Sequence, residues 1–90
     1  MDYASKKITF RFHNHEANQI HLSGNFSNWN PTQIPLKQGK EGEWKVEIPL
    51  LPNGTYQYKF IINNHKWTTD PLNFFKEVNG YNSFNSVFYI

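Results

Sequence analysis

Residues 55–71 read TYQYKFIINNHKWTTDP. Tyr56, Tyr58, Phe60 and Ile62 occupy alternate positions, which in an extended chain puts them on one face. Lys59, between Tyr58 and Phe60, therefore faces the other way. Asn63-Asn64 is turn chemistry, so the chain reverses into a short strand at residues 66–68 that carries Trp67. Asp70-Pro71 supplies the next turn. This is the pattern of half-buried antiparallel strands with one face in a core.

The same period runs through most of the chain. In KKITFRF (residues 6–12), Ile8, Phe10 and Phe12 share one face, opposite Lys7, Thr9 and Arg11. QIHLS (19–23) pairs Ile20 with Leu22, and EWKVEIPL (43–50) sets Trp44, Val46, Ile48 and Leu50 against Lys45 and Glu47. SVFYI (86–90) closes the chain. Turn signals at residues 28–31, 39–42, 52–54, 63–64 and 70–71 separate these runs, and no window has a helical period. About seven short strands, with turns every 8–12 residues or so, predict an all-β, immunoglobulin-like antiparallel β-sandwich. Residues 1–90 are expected to form a single domain, without repeat or linker.

Composition narrows the function. The chain has no cysteine, so neither a disulfide framework nor a thiolate metal site is available. No stretch has the length and apolarity of a membrane span or a secretion signal, and a cytoplasmic protein is expected. Nine Lys/Arg against seven Asp/Glu give a formal charge of +2. The basic residues are scattered rather than gathered into the stripe a nucleic-acid binder needs. Aromatic residues make up 18% of the chain, accompanied by twelve asparagines. That mixture suits neutral, hydroxyl-rich ligands, and it equally suits the turns of a small β protein.

LSGNFSNWNP (residues 22–31) places Phe26 and Trp29 in a loop rich in turn residues. Phe26 is expected to plug the core and Trp29 to be displayed. Trp44, in phase with Val46 and Ile48, is expected in the core. Lys59, Trp67 and Asn85 alternate away from it, on the solvent side, and with Trp29 they form the set a sugar site requires. The C–H face of a pyranose packs on an aromatic ring, while hydroxyls take hydrogen bonds from amides and an ammonium. A stacked ring burying on the order of 100 Å² contributes roughly 2–3 kcal/mol before ordering costs, so two platforms imply a Kd of about micromolar to millimolar.

LSGNFSNW, LPNGTYQYKFIINNHKWTTDP and NSFNSVFYI, in this order and spacing, resemble carbohydrate-binding module family 48. That family includes the glycogen-binding domain of the AMP-activated protein kinase β subunit and modules of branching and debranching enzymes. The resemblance spans Ile8 to Ile90 and implies noncatalytic binding of α-1,4-linked glucans such as glycogen, starch and maltooligosaccharides. The family's glucan contacts fall on Trp29, Lys59, Trp67, Ser83 and Asn85, and a bulky residue that projects toward the sugar falls near Tyr81. Two features depart from the pattern. The hairpin Asn63-Asn64-His65-Lys66 is about a residue longer than the usual Asp-Gly closure, and Tyr81 stands where relatives carry an aliphatic side chain.

Other chemistry is thin. His13 and His15 with Glu16 have ligand spacing on one strand face, but a third ligand is not evident, so solvated histidines are expected. A glycosidase needs two carboxylates across a cleft. The acidic residues, Asp70 among them, are read as lying mostly in turns or on solvent faces. No enzyme activity, cofactor or metal is expected. The alternative reading is a module that docks a kinase or a glucan-active enzyme domain without binding sugar, through an apolar patch around Phe74, Phe75 and Tyr81. Single-stranded nucleic acid on exposed aromatics ranks well below both.

Overall fold

The computed structural model describes residues 6–79 and 83–90. Strands β1 (Lys7–His13), β2 (Ile20–Gly24), β3 (Ile34–Pro35), β4 (Lys37–Gln38) and β5 (Glu43–Pro49) are followed by β6 (Thr55–Ile62), β7 (Lys66–Thr68), β8 (Lys76–Val78) and β9 (Phe84–Tyr89). They form two antiparallel sheets. The small sheet has the order β1-β5-β4, and the large one β3-β2-β6-β9-β8 with β7 also on β6. This is the expected β-sandwich.

Among the described residues there are nine strands, where about seven were expected. The strands without an alternating signal are β3, β4 and β8, each only two or three residues long and so too short to display the period.

Alternation fixes what lies between the sheets. Ile8, Phe10, Phe12, Trp44 and Ile48 from the small sheet meet Ile20, Leu22, Tyr58, Phe60 and Phe88 from the large one. Register aligns the small-sheet face, with Phe10 opposite Val46 and Phe12 opposite Trp44. The rings pack edge-on or tilted: Phe10 lies 5.1 Å from Tyr58 and 5.6 Å from Phe88, and Phe12 5.0 Å from Phe60. Such contacts add roughly 0.5–1.5 kcal/mol each beyond the area they bury. Trp44 is in the core as expected, and its indole N–H donates to the Asn14 carbonyl at 3.0 Å.

Strand β6 organises the large sheet. Its residues from Tyr58 to Ile62 pair with β2, while its other edge is shared between β9, opposite Thr55–Tyr58, and β7, opposite Phe60–Ile62. Tyr58, Lys59, Phe60 and Ile61 are all buried, so one expectation is corrected. Lys59 does face away from the core, but it is not a solvated lysine. It is covered on the outer face, where Ser83, far along the chain, accepts from its ammonium. The hairpin into β7 turns on Asn63 and Asn64, both left-handed with φ of 53° and 63°. Asparagine tolerates that region better than other non-glycine residues. Asn63 also ties down the neighbouring loop, accepting from the backbone N–H of Asn18 at 2.7 Å.

No helix among the described residues is long and apolar enough to cross a membrane.

Candidate functional site

The outer face of the large sheet collects the residues that alternation directs away from the core. Ser23 lies opposite Lys59, and His21 and Trp67 flank Ile61. On the other side of β6, Glu77 lies opposite Asn85.

Trp29 reaches this face through a constrained loop. After β2 the chain makes a single 3-10 turn, Asn25–Ser27. The Ser27 hydroxyl donates to the Gly24 carbonyl at 3.1 Å and accepts from the Gly24 N–H at 3.2 Å. Gly24 is required by crowding, because a Cβ there would lie 2.5 Å from the Gln57 carbonyl oxygen. Asn28 and Trp29 then both take positive φ, 53° and 55°. For a bulky residue such as tryptophan this conformation is strained, and the surrounding structure must hold it. The Trp29 N–H closes the turn by donating to the Gly24 carbonyl at 2.9 Å. Phe26 points the opposite way, with ring centroids 6.0 Å from Phe88 and 6.3 Å from Phe10. One ring faces in and one faces out, as expected.

Trp29, Gln57, Lys59, Trp67, Asn79, Ser83 and Asn85 line one cleft of about 580 Å³. Five of the six expected site residues are therefore brought together. Tyr81, the sixth, lies outside the described residues. Trp67 is 42% exposed and Trp29 half-buried, so each presents part of its ring surface. Lys59 and Asn85 are only 9% and 8% exposed, which corrects their expected solvent setting. Both are held by neighbours. The Lys59 ammonium donates to the Ser83 hydroxyl at 3.1 Å, and Asn85 Nδ2 donates to Gln57 Oε1 at 2.8 Å. Asn79 Nδ2 donates to Asn85 Oδ1 at 3.1 Å, and Gln57 Nε2 donates to Glu77 Oε2 at 2.7 Å.

Gln57, Asn79 and Glu77 were not anticipated. Gln57 was legible, since it stands two residues before Lys59 and so shares its face. Asn79 and Glu77 carried no such signal, because β8 is too short to show a period.

Beneath the cleft lies a buried polar knot that fixes the turn after Trp67. The Tyr58 hydroxyl donates to Asp70 Oδ2 at 2.7 Å and accepts from Asn73 Nδ2 at 3.0 Å. The Asp70 N–H donates to the Ser86 hydroxyl at 2.8 Å, and Asp70 Oδ1 accepts from the Leu72 N–H at 2.9 Å. Asp70 stands at the turn expected of it, but it is buried rather than solvated. Burial, above all, pushes the Tyr58 phenol well above its ordinary range, and Asp70 beside it adds to the rise.

The histidine pair at the end of β1 behaves differently. The His13 and His15 rings meet edge-on at 4.8 Å, and His13 Nε2 donates to the Glu41 carbonyl at 2.8 Å. Among the described residues, no group of three His, Cys, Asp or Glu is placed to hold a metal.

Comparison with known proteins matches this fold. Residues 7–89 match the family model described as the glycogen recognition site of AMP-activated protein kinase. The chain belongs to this glycogen-recognition family. Within it, the 5'-AMP-activated protein kinase subunit beta-1 of Homo sapiens is 40% identical over 53 residues, 59% of this chain and 18% of that protein. The 1,4-alpha-glucan branching enzyme GlgB of Corynebacterium diphtheriae is 39% identical over 51 residues, 56% of this chain and 7% of the enzyme. The matched segments are therefore a small part of both relatives. Among solved structures, a maltogenic amylase from S. marinus superposes over 93% of this chain and 13% of its own, with a TM-score of 0.76 at 26% identity.

Proposed function

We propose that this protein is a noncatalytic module that binds α-1,4-linked glucan chains in the cleft lined by Trp29 and Trp67. The observation that carries the reading is the convergence of two partly exposed indoles with one ammonium and three amides on a single cleft. A glucose unit has apolar C–H faces and hydroxyl-rich edges, so rings and fixed donors together match it. Trp67 and Trp29 act as the stacking platforms. Lys59 and Asn85 donate to sugar hydroxyls, and Ser83 holds Lys59 in place. The family's description as a glycogen recognition site, and the α-glucan that gives the branching enzyme its name, support the choice of ligand. The test is calorimetry with maltoheptaose against cellohexaose. Saturable binding of the first alone is expected, and equal or absent binding of both rejects the reading.

A second surface supports a second, compatible reading, docking to an enzyme domain such as a kinase or a glucan-active enzyme. Phe74 is 92% exposed, with Leu72, Phe75 and Tyr89 also largely exposed beside it. The loop that carries Leu72, Phe74 and Phe75 is tied to β9. The Phe75 N–H donates to Asn73 Oδ1 at 2.9 Å, and the Val87 N–H donates to the Phe75 carbonyl at 2.9 Å. Apolar side chains displayed on a fixed backbone mark an interaction surface more often than a solvated one. Phe74→Ser is expected to leave glucan binding unchanged and to weaken co-purification with such an enzyme domain. If co-purification is unaffected, the docking reading falls.

A further inference from the structure

The amide hydrogen bonds along the cleft all run in one direction. The Ser83 backbone N–H donates to Asn79 Oδ1 at 3.3 Å, Asn79 Nδ2 to Asn85 Oδ1, Asn85 Nδ2 to Gln57 Oε1, and Gln57 Nε2 to Glu77 Oε2. Each amide in the middle can serve with either end, because its oxygen accepts and its nitrogen donates. The two ends have no such freedom. A backbone N–H only donates and an ionised carboxylate only accepts. The chain is therefore pinned, and the orientation of every amide follows from its termini.

We propose that Glu77, at the rim of the cleft, is the positioning residue that sets which way Asn85 and Gln57 face a bound sugar. The inference rests on the glucan reading above and extends it to a residue that does not line the cleft. With Glu77 as terminal acceptor, Asn85 and Gln57 each keep one N–H uncommitted among the described residues, and Lys59 keeps two. The polar wall thus presents mainly donors, directed at the lone pairs of sugar hydroxyl oxygens. Glu77 itself is exposed, so its substitution does not empty the core.

Substitutions at this terminus separate an acceptor from a mere filler of space. Glu77→Gln still offers an oxygen to Gln57 and leaves the direction intact. Glu77→Lys supplies only donors, so Gln57 must turn its oxygen outward and set Nε2 against Asn85 Nδ2. Either an N–H is left facing an N–H or Asn85 flips. Adding Gln57→Glu to Glu77→Lys repairs this, because the new carboxylate accepts from the lysine ammonium and from Asn85 Nδ2 together.

The experiment measures maltoheptaose affinity and the Asn85 side-chain amide signals by NMR in the wild type and these three variants. Glu77→Gln is expected within about twofold of wild type, and Glu77→Lys about tenfold weaker, the size of one charge-assisted hydrogen bond. The double variant is expected to recover Asn85 amide signals like the wild type's, while its affinity stays below wild type because Gln57→Glu also removes the Gln57 N–H. The sugar-free spectra test the proposal on their own, so a wild type that ignores maltoheptaose overturns the glucan reading without hiding the answer about Glu77. Unchanged Asn85 signals in Glu77→Lys, or altered Asn85 signals that Gln57→Glu fails to restore, overturn the proposal.

Discussion

The outward faces of the two sheets draw on similar residue types and end in different states. On the small sheet, Lys37, Lys45 and Arg11 stand in one register row, like charges directly opposite one another. Glu43 and Glu47 flank Lys45 along β5, and the one ion pair among the described residues, Arg11 to Glu43, is 4.0 Å long. All five side chains are exposed, so water screens their repulsion and attraction alike. On the large sheet, Lys59 and Asn85 also point outward but are desolvated, and each is held by a side-chain partner. A polar residue that alternates away from a core is uninformative until its burial and partners are known. Where outward polar groups are buried and aligned, the protein has fixed donors in place before any ligand arrives, which lowers the ordering cost of binding.

Four experiments probe this contrast. The largest effect is expected from Asp70→Ala beneath the large sheet. It strands the Tyr58 hydroxyl and the Leu72 N–H. A stability loss of about 2–4 kcal/mol in urea denaturation is expected for such orphaned buried groups. A loss no larger than for a surface residue would mean that the knot is not holding the turn. Next, Trp67→Ala removes an exposed ring and should spare the fold while weakening maltoheptaose binding by about 2 kcal/mol, roughly thirtyfold in Kd. Unchanged affinity by calorimetry would remove Trp67 from the site.

A smaller effect concerns pH. The Tyr58 phenol is raised in the folded state, so the fold holds this proton more tightly than the unfolded chain does. Its contribution is fully present below the ordinary tyrosine pKa near 10 and declines above it, by about 1.4 kcal/mol per pH unit at most. Tyr58→Phe should lose that part of the alkaline decline, as read from denaturation midpoints at pH 9, 10 and 11 relative to wild type. Parallel curves for the two proteins would contradict it. Smallest of all is Lys45→Ala on the small sheet, expected to change stability by less than about 0.5 kcal/mol and glucan affinity not at all. A clear loss of binding there would place the sugar on the wrong face.

The inner faces of the sandwich were legible in the sequence, because aromatic and branched residues at Ile8, Phe10, Phe12, Trp44, Ile48, Tyr58 and Phe60 repeat with a period of two. The direction of Lys59 was legible for the same reason. Its burial was not, since that depends on Ser83 and the neighbouring cleft residues arriving from far along the chain. Asp70 shows the same limit. Turn chemistry located it correctly at a reversal, but the Tyr58 hydroxyl that makes it a buried acceptor sits twelve residues earlier, inside a strand read only for its apolar face. The Glu77–Gln57 contact spans twenty residues and joins β6 to a three-residue strand, so no local pattern announced it.

The most direct test of glucan binding in the cleft follows the three tryptophan indole N–H signals during an NMR titration with maltoheptaose. Trp29 and Trp67 line the cleft, whereas Trp44 is buried between the sheets with its N–H on the Asn14 carbonyl. Saturable shifts of Trp29 and Trp67 are expected, with a stationary Trp44 and no response to cellohexaose. Shifts confined to Trp44, or none in any of the three, would contradict the assignment of the cleft as the glucan site.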